Sequence, residues 1–368
     1  MLKPIHRVNC SPALAACQRL MQRFALWLCD ANVRATDVTQ ANFQAQMPTV
    51  IEGDWLWWLI AGSTGKKKSL DHAKSIASLP AVEKQRLEQW IQAVINLARH
   101  FTAAPPPPPP LPVALPNGWG PRDPRWRAFW ALMVAFYEEG LREGLPYQSN
   151  GTATNDATLR VSYEQFTREF RQAHRLDQHP DAREVCVLCG GPLVLPAVDH
   201  WIGKGAFPLL AVCANNLLPI CAECNEAPQK GQKPVHDHGS FAEWFHPYLR
   251  HSSGTLQLNY DPSTCSINVS SNDPSHVAKV QNLDVLLNLG QRWTREFKAE
   301  YRKVQRYIEV ENRERHGRGL PPLDAGELLH LLAKYRKKIS DFEPNYEVHS
   351  VLGDMLLDLA RQQALLTI

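Results

Sequence analysis

Two Cys-x-x-Cys pairs constrain the fold of this chain more than any other feature of its sequence. They are Cys186/Cys189 and Cys221/Cys224, and each pair can aim two sulfur atoms at one point. Four such thiolates enclose one tetrahedral Zn²⁺ and leave no coordination position open. We therefore predict a structural zinc whose binding stabilises a small, loop-rich module. A redox dithiol is the alternative, but two pairs in a chain without secretory features favour zinc.

Residues 190–220 separate the two pairs, which exceeds the spacing of simple zinc ribbons and requires additional structure between them. Within this interval Asp199 and His200 follow an apolar run at residues 193–198, which predicts a short strand ending at this pair. Neighbouring strand residues face opposite sides, so the carboxylate can hold a hard cation such as Mg²⁺ or Mn²⁺ while the imidazole activates water. By itself the pair is a weak indication, because a single histidine is more often structural or solvated.

Taken together, the residues of this segment resemble the HNH, or ββα-metal, endonucleases. The resemblance covers residues 186–230 of the 368-residue chain, and its parts occur in the order and spacing of that family. A narrower resemblance, at residues 206–219 and 245–249, is to HNH nucleases of bacterial restriction and phage-defence loci. The family implies hydrolysis of phosphodiester bonds in DNA that leaves a 5′ phosphate, with RNA as the alternative substrate. The matching positions are Cys186, Cys189, Asp199, His200, Asn216, Leu217, Cys221, Cys224, Asn225 and Lys230.

The resemblance also implies roles for individual residues. His200 is the expected general base that takes a proton from water, and Asp199 and Asn225 are the expected ligands of the catalytic divalent metal. Asn216 is the middle residue of the motif, whose side chain braces the loop and orients the base, and Asn215 is the alternative for this role. The third motif position is Asn rather than His, and a neutral amide is a weaker ligand. The expected catalytic metal is therefore Mg²⁺ or Mn²⁺, loosely held.

Positively charged residues in two regions are candidates for contacts with nucleic acid. Lys204 and Lys230 can contact backbone phosphates near the predicted site, and solvated surface lysines are an equal alternative. A predicted helix at residues 291–310 has one apolar face and one basic face, and the basic face suits docking of DNA. The residues of the basic face are Arg295, Lys298, Arg302 and Arg306. His236 and His238 form an HxH pattern, for which a surface loop is the more common explanation than a metal site.

Hydrophobic periodicity predicts an α+β, mostly helical multi-domain chain around a central zinc-stapled ββα-metal module. Residues 1–103 form a predicted helical N-terminal domain. Residues 104–117 contain an unbroken proline run and form a predicted polyproline linker, with a docking segment for an SH3-like partner as the alternative. A helical segment, the HNH module, and a β-hairpin with a helical C-terminal region are predicted at residues 118–180, 181–250 and 251–368.

The composition agrees with a globular protein whose nucleic-acid surface is local rather than global. The formal net charge is +3, with 44% hydrophobic and 21% charged residues, so no strong basic field surrounds the chain. The N-terminus lacks the apolar region of a secretory signal, and a cytoplasmic protein without a membrane partner is expected. The prediction is a metal-dependent HNH endonuclease acting on DNA, the effector of a bacterial defence system with a protein partner in that complex. The alternative is a non-catalytic zinc-stabilised module that binds nucleic acid or protein.

Overall fold

The structure is a computed structural model and describes residues 3–62, 67–102, 109–113, 115–176, 179, 182–250, 252 and 254–368. Over these residues the chain is predominantly helical with two small antiparallel sheets, which confirms the predicted α+β class. None of the described helices combines the length and the hydropathy needed to cross a bilayer.

The first half of the described chain is helical. Three helices begin after residues suited to that position: the side chains of Thr39, Thr49 and Ser162 accept backbone N–H bonds at the starts of Gln40–Gln46, Val50–Ala61 and Tyr163–Ala173. A π-helix at Phe136–Leu141 continues directly from the helix Pro124–Ala135. The helices are α1 (Ser11–Cys29), α2 (Gln40–Gln46), α3 (Val50–Ala61), α4 (Lys67–Ala77), α5 (Ala81–Ile95), α6 (Arg99–Thr102), α7 (Pro124–Ala135) and α8 (Tyr163–Ala173).

Helices on the two sides of the proline run pack against each other. The ring centroid of Phe24 in α1 lies 6.3 Å from that of Phe136, and the Trp55 indole N–H in α3 donates to the Gly144 carbonyl at 3.0 Å. Residues 104–108 and 114 of the predicted linker lie outside the described residues. The described Leu111 is buried, and its N–H donates to the Gly239 carbonyl at 3.0 Å. The division into separate domains stays a prediction.

The centre of the chain contains two short strands and a one-turn helix. β1 (Ala197–His200) pairs with β2 (Leu217–Ile220) in antiparallel register, with His200 opposite Leu217. α9 (Ala222–Asn225) follows β2 after one residue and packs against β1. The predicted strand end at Asp199-His200 is therefore present, and the loop that follows it returns to β2 beside it.

The C-terminal region combines a hairpin with helices. The hairpin predicted near residues 255–270 is present as β3 (Gln257–Asp261) and β4 (Ser266–Ser270). The long helix α11 (Leu289–Gly317) buries the apolar face expected from the sequence, namely Trp293, Phe297, Val304 and Ile308. The helices of this region are α10 (Val277–Leu287), α11 (Leu289–Gly317), α12 (Ala325–Lys338), α13 (Tyr346–Leu356) and α14 (Leu359–Leu365).

Candidate metal centre and candidate active-site cleft

The four cysteines of the two Cys-x-x-Cys pairs converge on one point. Their sulfur atoms all lie within 4.8 Å of one another, and all four side chains are buried. Cys186 Sγ lies 3.8 Å from Cys224 Sγ, and Cys189 Sγ lies 3.9 Å from Cys221 Sγ. Sulfurs about 2.3 Å from one zinc ion in a tetrahedron lie roughly 3.8 Å apart. The cluster therefore has the geometry of a site that could hold a metal ion.

The backbone around the cysteines is shaped for this convergence. The N–H of Cys186 donates to the Gly191 carbonyl at 2.8 Å, and the N–H of Gly190 donates to the Cys186 carbonyl at 2.8 Å. Gly190 has φ +74°, a conformation that glycine adopts without the steric cost of a side chain. This tight turn brings the sulfur of Cys189 back towards that of Cys186.

Two neighbouring residues of α11 attach that helix to the four-cysteine centre. Arg292 is buried and donates from Nη1 to Cys224 Sγ at 3.2 Å and from Nη2 to Glu223 at 3.0 Å. The Trp293 indole N–H donates to the Cys189 carbonyl at 3.0 Å. A positive charge beside the sulfurs favours their thiolate form. The sequence had not indicated Arg292, because its neighbours on the helix suggested only a basic exposed face.

The second region of interest is a cleft of about 350 Å³ at the end of β1, hereafter the β1 cleft. It brings together Asp199, His200, Lys204, Asn225 and Lys230, which the sequence analysis had selected from separate motifs. Its lining consists of Trp130, Tyr137, Val198, Asp199, His200, Gly203, Lys204, Gly205, Asn225, Lys230, Gly231 and Gln232.

His200 is held as a neutral imidazole. Its Nε2 lies 2.9 Å from the Ala211 carbonyl, and since a carbonyl only accepts, Nε2 carries the proton and Nδ1 is left as a lone-pair acceptor. Burial lowers the pKa of His200 to about 3, the Ala211 bond opposes that shift, and the charges of Lys204 and Lys230 add to it. The residue is thus unprotonated near neutral pH, the form that a general base requires.

Asn216 braces the loop that carries this carbonyl. Its Oδ1 accepts from the Ile202 N–H at 2.7 Å, and its Nδ2 donates to the carbonyls of Ile202 and Leu210 at 2.9 and 3.1 Å. The side chain is fully buried, and Leu210 directly precedes Ala211. Asn216, rather than the half-buried Asn215, therefore makes the loop-bracing contacts predicted for the middle motif residue.

Asp199 shares a buried ion pair with Lys230. The ammonium donates to Oδ1 at 2.9 Å and to the His200 carbonyl at 2.9 Å, and it lies 2.8 Å from Oδ2. Both carboxylate oxygens of Asp199 thus lie within 2.9 Å of one buried ammonium. Burial raises the pKa of the Asp199 carboxyl, and the Lys230 charge opposes this shift. Lys230 is 1% exposed and faces Asp199, so its predicted contact with a DNA phosphate stays a prediction.

The oxygen atoms of Asp199 and Asn225 are suited to bind a hard cation in the β1 cleft. The carboxylate of Asp199 and the half-buried side chain of Asn225 line the same cleft. A carboxylate and an amide are oxygen ligands of the kind that Mg²⁺ and Mn²⁺ prefer, and both ions keep several waters. These residues therefore fit the divalent metal that the sequence analysis expected.

The wall of the cleft opposite β1 comes from a part of the chain that the sequence analysis did not connect with the site. Tyr137, in the π-helix, lies edge-to-face against the His200 imidazole with ring centroids 4.5 Å apart. The next residue, Glu138, forms an ion pair with Lys204 at 2.8 Å. No motif identified Tyr137, and only the packing of the helical segment brings it to the cleft.

The basic residues predicted on α11 lie on its exposed face. Arg295 forms an ion pair with Glu223 at 2.7 Å and is otherwise open to solvent. The spacing of three and four residues places the four side chains along one side of the helix. They are Arg295, Lys298, Arg302 and Arg306, and all four are exposed.

Two further groups of possible metal ligands give weaker support for a metal site. His236 and His238 belong to no group of three converging ligands among the described residues. Glu296, Glu300 and His349 do converge within 4.8 Å, but His349 Nε2 pairs with Glu296 at 3.0 Å and Lys303 pairs with Glu300 at 2.6 Å. Both carboxylates of the second group thus already have partners within the protein.

Comparisons of the chain with models of protein families, with curated proteins and with solved structures find no match. The function proposed below therefore depends on the geometry of the site and on the motif pattern.

Proposed function

We propose that this chain is a metal-dependent nuclease of the HNH (ββα-metal) type that hydrolyses phosphodiester bonds in DNA. The observation that carries the proposal is the placement of His200, fixed as a neutral base by Ala211, beside the carboxylate of Asp199 at the end of one strand, with both side chains lining the β1 cleft. Both residues end one strand of a two-stranded sheet, and the short helix α9 that follows carries Asn225 into the same cleft. The order strand, strand, helix is that of the family which the sequence resembles.

In the proposed reaction His200 Nδ1 accepts a proton from the attacking water, while the Ala211 carbonyl holds the other ring nitrogen in its donor form. Asn216 keeps that carbonyl in place through its bonds to the loop. Asp199 and Asn225 would hold Mg²⁺ or Mn²⁺, which would supply charge stabilisation at the scissile phosphate and the leaving oxygen. Lys230 shares the Asp199 carboxylate and favours its ionised form against the effect of burial.

The metal proposed for the four-cysteine centre is zinc. Four thiolates in a closed tetrahedron are the ligand set of structural zinc sites, and no side is left open for substrate. In this proposal the zinc fixes the segments on either side of β1 and β2, and the exposed basic face of α11 contributes phosphate contacts. RNA as substrate, and a role with a protein partner in bacterial defence, stay predictions from the sequence.

One observation favours the alternative of a non-catalytic binding module. Asp199 is already paired with Lys230, and His200 is only 7% exposed. A chain that uses this ion pair solely to stabilise its core would bind nucleic acid without cleaving it. The two functions give different results in one assay.

The assay incubates the purified chain with plasmid, single-stranded DNA and RNA, with Mg²⁺, Mn²⁺ or a chelator. We expect cleavage of DNA that requires the divalent cation. His200→Ala should lower the rate by about 10²–10⁴-fold, the usual contribution of a positioned base, with zinc content and binding of DNA retained. His238→Asn, at a side chain that is 94% exposed, is the matched control and should cleave at the parental rate. Binding of DNA without cleavage in either cation supports the binding module, and full activity in His200→Ala excludes the catalytic assignment.

A further inference from the structure

Tyr137 contacts two residues of the β1 cleft, His200 and Lys204. Its ring lies edge-to-face to the His200 imidazole at an interplanar angle of 73°. The ammonium of Lys204 lies 4.6 Å from the centroid of the same ring, within the range of a cation–π interaction. The Tyr137 hydroxyl is 3.4 Å from the Val198 carbonyl of β1, and the residue is 7% exposed.

The position of Tyr137 is set by the helical region rather than by the segment that carries the motif. It belongs to the π-helix Phe136–Leu141, and π-helical turns within α-helices are frequent at functional sites. A side chain at Gly140 would place its Cβ 2.9 Å from the Trp55 ring, so α3 packs directly against this turn. Glu138, the neighbour of Tyr137, holds Lys204 through the 2.8 Å ion pair.

The hydrogen bond to Ala211 restrains Nε2, and the plane of the imidazole is set by rotation about its Cβ–Cγ bond. The edge-to-face contact with Tyr137 restrains this rotation as well, because aromatic pairs have preferred angles. The direction of the free Nδ1 lone pair therefore depends on both contacts. The same ring provides the surface on which Lys204 rests at the cleft.

We propose that Tyr137 is a positioning residue for the proposed hydrolysis. It sets the plane of the His200 imidazole and, with Glu138, holds Lys204 where a phosphate of the substrate enters the cleft. This inference rests on the proposed function, but it also makes a statement about His200 that can be measured without substrate.

The test compares Tyr137→Phe with Tyr137→Leu in the full chain. The Phe variant retains the ring and both of its contacts, so its kcat should stay within about threefold of the parent. The Leu variant loses the ring, and we expect kcat to fall on the order of 10–100-fold, the scale of a small misplacement of a reacting group. Lys204→Met is the companion variant, and it should raise KM for DNA while leaving kcat close to the parental value.

A second readout is the ¹⁵N NMR spectrum of the His200 side chain, assigned with His200→Gln. The parent and Tyr137→Phe should show one neutral imidazole with the proton on Nε2, and Tyr137→Leu should show shifted or exchange-broadened signals. Equal kcat and an unchanged imidazole spectrum in Tyr137→Leu overturn the inference, as does a Phe variant that is as impaired as the Leu variant. If Tyr137→Leu melts below the assay temperature, Tyr137→Met replaces it in the same comparison.

The readouts separate the two proposals. A parent chain that cleaves nothing in Mg²⁺ or Mn²⁺ contradicts the proposed nuclease function. The spectrum of His200 in the Phe and Leu variants then still decides whether Tyr137 orients the imidazole.

Discussion

The four-cysteine centre and the β1 cleft both present metal-binding side chains, but they do so in opposite ways. The four sulfurs converge on one point, and all four cysteines are buried. The cleft offers the carboxylate of Asp199 and the amide of Asn225 beside about 350 Å³ of open volume, with a buried lysine on the carboxylate. A closed ligand shell suits stability, and an open one leaves room for water and substrate.

The two regions are joined by a single peptide bond. Cys224 belongs to the centre and Asn225 to the cleft, and both lie in the one-turn helix α9. The cysteine centre therefore sets where the amide of the cleft lies. Through this connection the four-cysteine centre can determine the geometry of the β1 cleft without contacting a substrate.

The largest effect should come from removing a ligand of the cysteine centre. Cys224→Ser leaves three thiolates and a weak oxygen ligand, and structural zinc contributes about 10 kcal/mol or more to the folding of small modules. Since whole domains are stable by only about 5–15 kcal/mol, the central module should not fold. We expect loss of bound zinc by elemental analysis and a large fall in soluble yield.

Cys213→Ser is the matched control, because this half-buried cysteine lies in the same segment but outside the cluster. It should retain about one zinc per chain. A Cys224→Ser protein that is folded, free of zinc and fully active would show that the two regions are independent.

Breaking the ion pair of the cleft should have the next largest effect. Lys230→Met leaves the Asp199 carboxylate buried without a counterion, and such a loss costs about 3–5 kcal/mol. Lys204→Met removes an exposed pair with Glu138 in the same cleft, where about 0–1 kcal/mol is usual. Urea unfolding measures both variants.

Divalent cation adds a second measurement to this comparison. If Asp199 binds the metal, Mn²⁺ should recover more stability in Lys230→Met than in the parent, because the cation replaces the missing charge. Equal stabilities of Lys230→Met and Lys204→Met would contradict the buried ion pair.

The sequence predicted the parts of both regions that depend on short-range spacing. The convergence of the four cysteines, the strand end at Asp199-His200 and the loop-bracing contacts of Asn216 all follow from motifs within residues 186–225. The pairing of Asp199 with Lys230 was not predicted, because a lysine near a phosphate site suggests a ligand contact before an internal counterion. Tyr137 was missed for a different reason: its place in the cleft results from packing between distant helices, which leaves no local pattern.

The third prediction uses two arginines that share one partner. Arg292 and Arg295 both contact Glu223, at 3.0 and 2.7 Å, but only Arg292 is buried and donates to Cys224 Sγ. Groups that hydrogen-bond to metal ligands typically alter metal affinity by about 10–100-fold. Arg292→Met should therefore release zinc faster to a chelator, as followed with a chromogenic zinc indicator.

Arg295→Met is the control for the cysteine centre and should leave the rate of zinc release unchanged. It should instead weaken binding of DNA, more strongly at low salt, because the lost charge is exposed. Equal rates of zinc release in the two variants would show that Arg292 does not contribute to zinc affinity at the four-cysteine centre.

The smallest effect is a difference in pH dependence that belongs to the cleft alone. Burial lowers the pKa of His200 to about 3, whereas an unfolded histidine titrates near 6.5. Between these values the unfolded chain binds a proton that the folded chain refuses, so the free energy of unfolding falls as pH decreases below 6.5. The contribution is at most about 1.4 kcal/mol per pH unit.

His200→Gln should therefore give a shallower dependence of the free energy of unfolding on pH than the parent, in urea unfolding between pH 6.5 and 5. His238→Asn should match the parent. Acid also weakens the cysteine centre, since protons compete with zinc for thiolates, but it does so equally in all three proteins. The difference between the curves thus isolates the buried imidazole, and parallel curves for parent and His200→Gln would show that burial does not lower the pKa of His200 in the fold.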